Sequence, residues 1–199
     1  MEAFKPFNEE YIDDPLRRAE HRVYEELLNS EPPGLFIHEW KADKRSAEVD
    51  FVVWIADVGL FAIQVKGGTY RYVIRDTEGE WQLRKNGEWV KVPSPFRQAW
   101  SGAKGLMDAL PRRGGYHTFV LPVLLYTDME DLDPSFEFDP DHCRVHVLAE
   151  ERDLVDKLVA VARERGINFP PGADAIDRDA RTITNGRGRS QWGVGMNSP

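Results

Sequence analysis

One cysteine, Cys143, stands in a chain of 199 residues. A lone thiol excludes an intrachain disulfide framework and fits a reducing compartment, so a cytoplasmic location is expected. No apolar stretch approaches the ~18 residues of a membrane span, and no basic N-terminal segment precedes an apolar run, which argues against a signal peptide. A phosphate-cradling glycine loop and a GxSxG elbow are both missing. His142, Cys143 and His146 lie close together but lack the fourth ligand of a zinc site, and read as a loop-to-strand junction. The run Asp128-Met129-Glu130-Asp131-Leu132-Asp133 lacks the glycine and ligand spacing of an EF-hand and reads as a solvated loop or a nucleic-acid-repelling surface.

The composition itself is that of an ordinary globular protein, 41% hydrophobic and 30% charged, long enough for one domain with a sizeable core. The net charge of −8 is unevenly spread. Residues 128–156 carry eleven acids against two arginines, whereas residues 34–126 carry thirteen Lys/Arg against ten Asp/Glu. The acidity is a segment, so it weakens a nucleic-acid partner without excluding one.

Periodicity sets the expected order of elements. Arg17–Leu28 reads as an amphipathic helix, with Asp13-Asp14-Pro15 as its cap and Ala19, Val23 and Leu27 on one face. Strands are expected at Leu35–Trp40, Val49–Ile55, Leu60–Lys66 and Thr69–Arg75. A hairpin follows at Trp81–Lys85 and Glu88–Val92 about Asn86-Gly87. Pro93-Ser94-Pro95 opens a helix to about Leu110; strands at His117–Tyr126 and Arg144–Leu148 and a helix at Glu151–Arg165 complete the pattern. The expected fold is α/β, a single layered domain over residues 1–167 with a mixed central sheet flanked by helices. Residues 168–199, rich in Gly, Pro, Arg and Asp, are expected to be a flexible tail or linker.

The most informative residues lie on two neighbouring strands. Asp50 opens a nearly continuous apolar run, where a charge needs a partner or a metal. On the returning strand the two-residue period puts Gln64 and Lys66 on one face, opposite Phe61, Ile63 and Val65. An acid beside an acceptor-x-Lys triplet is the arrangement by which two-metal nucleases bring a divalent cation and a lysine to one phosphate, although so small a motif also arises by chance. Oxygen ligands hold a divalent cation, and a lysine meets the charge that builds on the phosphate. Each residue also has a plain reading: a loop-capping Asp50, a solvated edge lysine at Lys66, a surface helix residue at Glu20 and an ordinary helix-start residue at Gln98. Trp81 and Trp89 fit either strand packing or base stacking.

Four stretches in order carry a resemblance: Arg18-Ala19-Glu20-His21-Arg22-Val23, Glu48-Val49-Asp50-Phe51-Val52-Val53, Phe61-Ala62-Ile63-Gln64-Val65-Lys66-Gly67-Gly68, and Ser94-Pro95-Phe96-Arg97-Gln98-Ala99. Together they resemble the NERD (nuclease-related) domain of the PD-(D/E)xK nuclease superfamily. The resemblance implies a restriction-endonuclease-like fold and an Mg²⁺- or Mn²⁺-dependent endonuclease acting on DNA, with RNA left open. It implies Asp50 as principal metal ligand, with Gln64, the Val65 carbonyl and Glu20 as further ligands. Lys66 becomes the catalytic cation and Gln98 a supporting or DNA-contacting residue. Backbone contacts are expected from Arg17, Arg22, Lys44, Arg45, Arg71 and Arg97. The chain departs from the pattern at Gln64, where the family has an acid; Glu48, two residues before Asp50, is expected to supply the missing charge. The rival expectation is a decayed domain that binds nucleic acid or protein without cutting. A homodimer, or one half of a larger fused enzyme, is also open.

Overall fold

The computed structural model describes residues 1–3, 15–31, 34–41, 48–75, 78–110 and 119–166. The Asp13-Asp14 cap, Lys44, Arg45 and the expected tail at 168–199 lie outside the described residues.

A mixed sheet forms the centre. It contains β1 (Glu2–Ala3), β2 (Gly34–Trp40), β3 (Val49–Ile55), β4 (Gly59–Lys66), β8 (Leu121–Tyr126) and β9 (His146–Ala149), hydrogen-bonded in that order. β2, β3 and β4 form an antiparallel meander, whereas β1–β2, β4–β8 and β8–β9 pair in parallel. The protein is therefore α/β, as composition and periodicity suggested.

Helix α1 (Pro15–Asn29) exists because Ala19, Val23 and Leu27 recur every four residues and bury together. It shares one face of the sheet with α3 (Leu154–Glu164), over Phe36, Phe51, Val53, Phe61, Ile63 and Leu125. Helix α2 (Pro95–Ala109) covers the other face, packing Ala103 and Leu106 on Ile37, Val52, Leu60 and Ala62. Ser94 caps α2 by accepting the Arg97 N–H at 3.2 Å, and Pro95 fills the first turn, where no N–H is needed. Among the described residues no helix is long and apolar enough to cross a membrane.

Two expectations need correction. First, β5 (Tyr70–Arg75), β6 (Glu78–Lys85) and β7 (Glu88–Val92) leave the central sheet and form a second, three-stranded antiparallel sheet. Gly68, at φ +90°, turns the chain out after β4, a backbone region that glycine enters without steric cost. Asn86 and Gly87 both take positive φ, the geometry of a two-residue hairpin turn. Second, the strand expected at His117–Tyr126 begins at Leu121, and the one expected at Arg144–Leu148 begins at His146, because a 3-10 turn takes His142–Arg144.

The acidic run 128–133 lies at the surface, with Asp128, Glu130 and Asp131 exposed, while two acids of the wider segment hold specific partners. Asp128 accepts the Gly68 N–H at 2.6 Å and pairs with Arg22. Asp139, 6% exposed, accepts the Trp81 indole N–H at 2.6 Å, and Trp81 packs against Phe96 and Phe136 in the aromatic core between the two sheets. Trp81 is thus a core residue, while Trp89 carries the Arg71 guanidinium over its ring at 4.1 Å.

Candidate metal centre at a strand fork

Asp50 sits where both of its neighbouring strands stop pairing with it. Register runs from Ile55↔Gly59 to Phe51↔Ile63 and then ends, so β3 and β4 splay. On the other side β2 pairs His38↔Phe51 and Trp40↔Val49, and the register skips Glu39, which falls opposite Asp50. Glu39 takes φ +55°, the left-handed region that a side chain disfavours. The break reverses the two-residue alternation: Trp40 and Val49 join Ile37 and Val52 on the α2 face. A sheet that opens locally exposes side chains between strands that a continuous ladder would cover.

Into this fork Asp50 turns its carboxylate. The Val65 N–H, which a continued ladder would have engaged, donates to Asp50 Oδ2 at 2.7 Å, and the Gln64 amide nitrogen donates to the same oxygen. A buried carboxylate takes the nearest donors, because an unpaired charge away from water is costly. The structure therefore presents the Gln64 amide N–H and the Val65 backbone N–H to Asp50, where the resemblance implied the amide oxygen and the Val65 carbonyl as ligands. An amide turned over offers its oxygen to the same place.

Asp50 is 8% exposed. Burial above all, with Glu20 and Glu48, raises its carboxyl to about 7 against the Lys66 ammonium and the Val65 N–H. The Lys66 ammonium is held below its ordinary value by burial, against the attraction of Asp50 and Glu20. In both groups burial outweighs their mutual attraction. The nearby Tyr70 hydroxyl is pushed up to about 12 by burial and by Asp50.

Glu20 reaches the same region from the second turn of α1. It accepts Arg17 Nη1 at 2.7 Å and contacts His38 Nε2 at 3.0 Å. His38 is 3% exposed, packed between the rings of Phe51 and Tyr24. Arg17 Nη1 also donates to Glu39 Oε1 at 2.5 Å. One ligand atom from each of Glu20, His38 and Glu39 lies within 4.8 Å of the others. Glu48 pairs with Lys41 at 2.5 Å, across the β2–β3 edge.

Asp50, Gln64, Val65, Lys66, Glu20 and Glu48 are thus gathered around one fork. Gln98 sits half-buried in the first turn of α2, its N–H on the Ser94 carbonyl at 3.1 Å. Arg22 is held by Asp128 and, at 2.9 Å, by Glu151. Arg71 donates twice to Gln82 Oε1, and exposed Arg97 lies 3.6 Å from Asp141. His38, Glu39 and Tyr70 went unremarked in the sequence. The signal for the first two was the polar pair inside the apolar strand Leu35-Phe36-Ile37-His38-Glu39-Trp40.

Among the described residues the ligand atoms close enough to share a hard divalent cation are those of Glu20, His38 and Glu39, and Asp50 is a neighbour of that set rather than a member of it. Glu20, Glu48 and Asp50 bring three carboxylates to the fork, with Arg17 and Lys41 paired to the first two, and burial is the main cause of the raised Asp50 carboxyl. Searches against family models, curated proteins and solved structures find no match for this chain.

Proposed function

We propose that the chain is a metal-dependent nuclease hydrolysing phosphodiester bonds of DNA at the Asp50 fork. One observation carries the reading: a buried acid, a half-buried lysine and a helix-borne glutamate converge where two strands part. Asp50 and Glu20 would hold Mg²⁺ or Mn²⁺, with the Gln64 amide oxygen and the Val65 carbonyl as neutral donors and Glu48 adding charge. A cation bound there lowers the pKa of its water and neutralises phosphate charge. Lys66, on the same face as Gln64, points its ammonium where negative charge grows on the phosphate oxygens and stabilises it. His38 fixes the Glu20 carboxylate. With Gln64 supplying a dipole in place of a charge, the cation is held more weakly than by two acids, which favours Mn²⁺ over Mg²⁺. Arg71, Arg97, Lys44 and Arg45 supply sequence-independent backbone contacts that weaken with salt.

A specific observation favours a second reading, a non-cutting binding module. Each acid of the fork already holds an internal donor: Asp50 has Gln64 and Val65, Glu20 has Arg17 and His38, and Glu48 has Lys41. Cleavage of supercoiled plasmid and of linear single-stranded DNA in Mn²⁺ and Mg²⁺ separates the two. The nuclease reading expects metal-dependent nicking that is lost in both Asp50→Asn and Lys66→Met. Retained DNA binding with no cleavage in any metal supports the module.

A further inference from the structure

Arg17 stands out among the cations of α1, because one of its nitrogens, Nη1, serves two carboxylates from different elements. It lies 2.7 Å from Glu20 Oε2 and 2.5 Å from Glu39 Oε1. Glu20 comes from the helix and Glu39 from the strand position opposite Asp50. The donor atoms that could surround a small cation here, from Glu20, His38 and Glu39, span the same few ångströms that Arg17 bridges. The guanidinium stays in partial contact with solvent, its side chain 31% exposed. Partly exposed ion pairs contribute little net stability, so such an arginine is held by geometry more than by energy. Glu20 has an independent anchor in buried His38, which keeps the carboxylate aimed if Arg17 departs.

We propose that Arg17 is the resident counter-ion of the fork: it occupies the place between Glu20 and Glu39 that a divalent cation takes, so binding of the cation is coupled to displacement of the guanidinium. The proposal rests on the metal-site reading above and adds Glu39, which no motif points to, as a residue that answers to the cation. Two consequences follow from mass action. Arg17 lowers the affinity of the site by competing for its acids, and a variant without the competing charge binds the cation more tightly. Glu39 contributes to that affinity although it lies outside the Asp50–Gln64–Lys66 strand pair.

The test is Mn²⁺ affinity of the full chain without nucleic acid, by calorimetry or by loss of the free-Mn²⁺ paramagnetic signal. Arg17→Gln is expected to bind Mn²⁺ about tenfold more tightly than wild type. Arg17→Lys, which keeps the charge but not the planar guanidinium, falls between them, and Glu39→Gln binds less tightly than wild type. Arg17→Lys also keeps the question answerable if Arg17→Gln does not fold. Affinity in Arg17→Gln and Arg17→Lys equal to or weaker than wild type overturns the proposal. If Asp50→Asn abolishes Mn²⁺ binding while the Arg17 variants match wild type, the counter-ion idea alone falls. Wild type that binds no more Mn²⁺ than Asp50→Asn removes both readings.

Discussion

Two buried aspartates, Asp50 and Asp139, differ in how the surrounding structure compensates their burial. Their exposure is nearly equal, at 8% and 6%. Asp139 is satisfied on both oxygens: Oδ1 accepts the Asp141 N–H at 2.8 Å, and Oδ2 accepts the Trp81 indole at 2.6 Å and the Ser94 hydroxyl at 3.1 Å. These donors come from β6, the start of α2 and the 3-10 turns, so the aspartate ties three elements together. Both donors to Asp50 fall on Oδ2, from adjacent residues of one strand, and its other neighbours include Glu20 and Glu48. Burial alone does not distinguish the two residues. The distribution of donors and the sign of the surrounding charge do.

That contrast can be broken from either side. Asp50→Asn carries the largest expected effect. A folded-state carboxyl raised to about 7 from 3.8 binds its proton more tightly than the unfolded chain does. It therefore costs nothing well below the unfolded value, and the cost grows as pH rises towards 7. The cost of keeping Asp50 ionised reaches on the order of 4 kcal/mol near pH 8. Thermal melts of Asp50→Asn should show a gain over wild type that is largest near pH 8 and fades towards pH 4. A gain independent of pH contradicts the assignment.

Asp139→Ala should do the opposite, destabilising by about 3 kcal/mol because the buried Trp81 indole N–H loses its acceptor. Urea unfolding followed by tryptophan fluorescence measures it. Ser94→Ala is the smallest of the three. It removes the cap on the Arg97 N–H and one of the donors to Asp139, for about 1 kcal/mol in the same denaturation experiment. A loss as large as that of Asp139→Ala would mean that Ser94, and not the indole, dominates the aspartate's environment.

The sequence made the strand pair of the fork legible, because Phe61, Ile63 and Val65 alternate with Gln64 and Lys66 and the apolar run after Asp50 is local information. Glu20 came within view only through the resemblance, since nothing in a helix face marks one glutamate among several. His38 and Glu39 depend on register: that Glu39 falls opposite Asp50 and takes φ +55° is decided by pairing between distant segments. The hairpin at Asn86-Gly87 was plain from its turn, whereas its separation from the central sheet was not, because turn chemistry says nothing of which sheet a hairpin joins. Charge counting is blind to individual partners in the acidic segment for a similar reason. It sums Asp128 and Asp139 with their neighbours and cannot show that one closes the Gly68 N–H and the other receives Trp81.

The central claim is that the Asp50 fork holds a divalent cation, and the most direct measurement is thermal unfolding near pH 7.5 with and without millimolar Mn²⁺, for wild type and Asp50→Asn side by side. A ligand that binds only the folded chain stabilises it in proportion to its occupancy. The account predicts that Mn²⁺ raises the midpoint of wild type and leaves Asp50→Asn where it was. An equal shift in both proteins, or none in either, would contradict it.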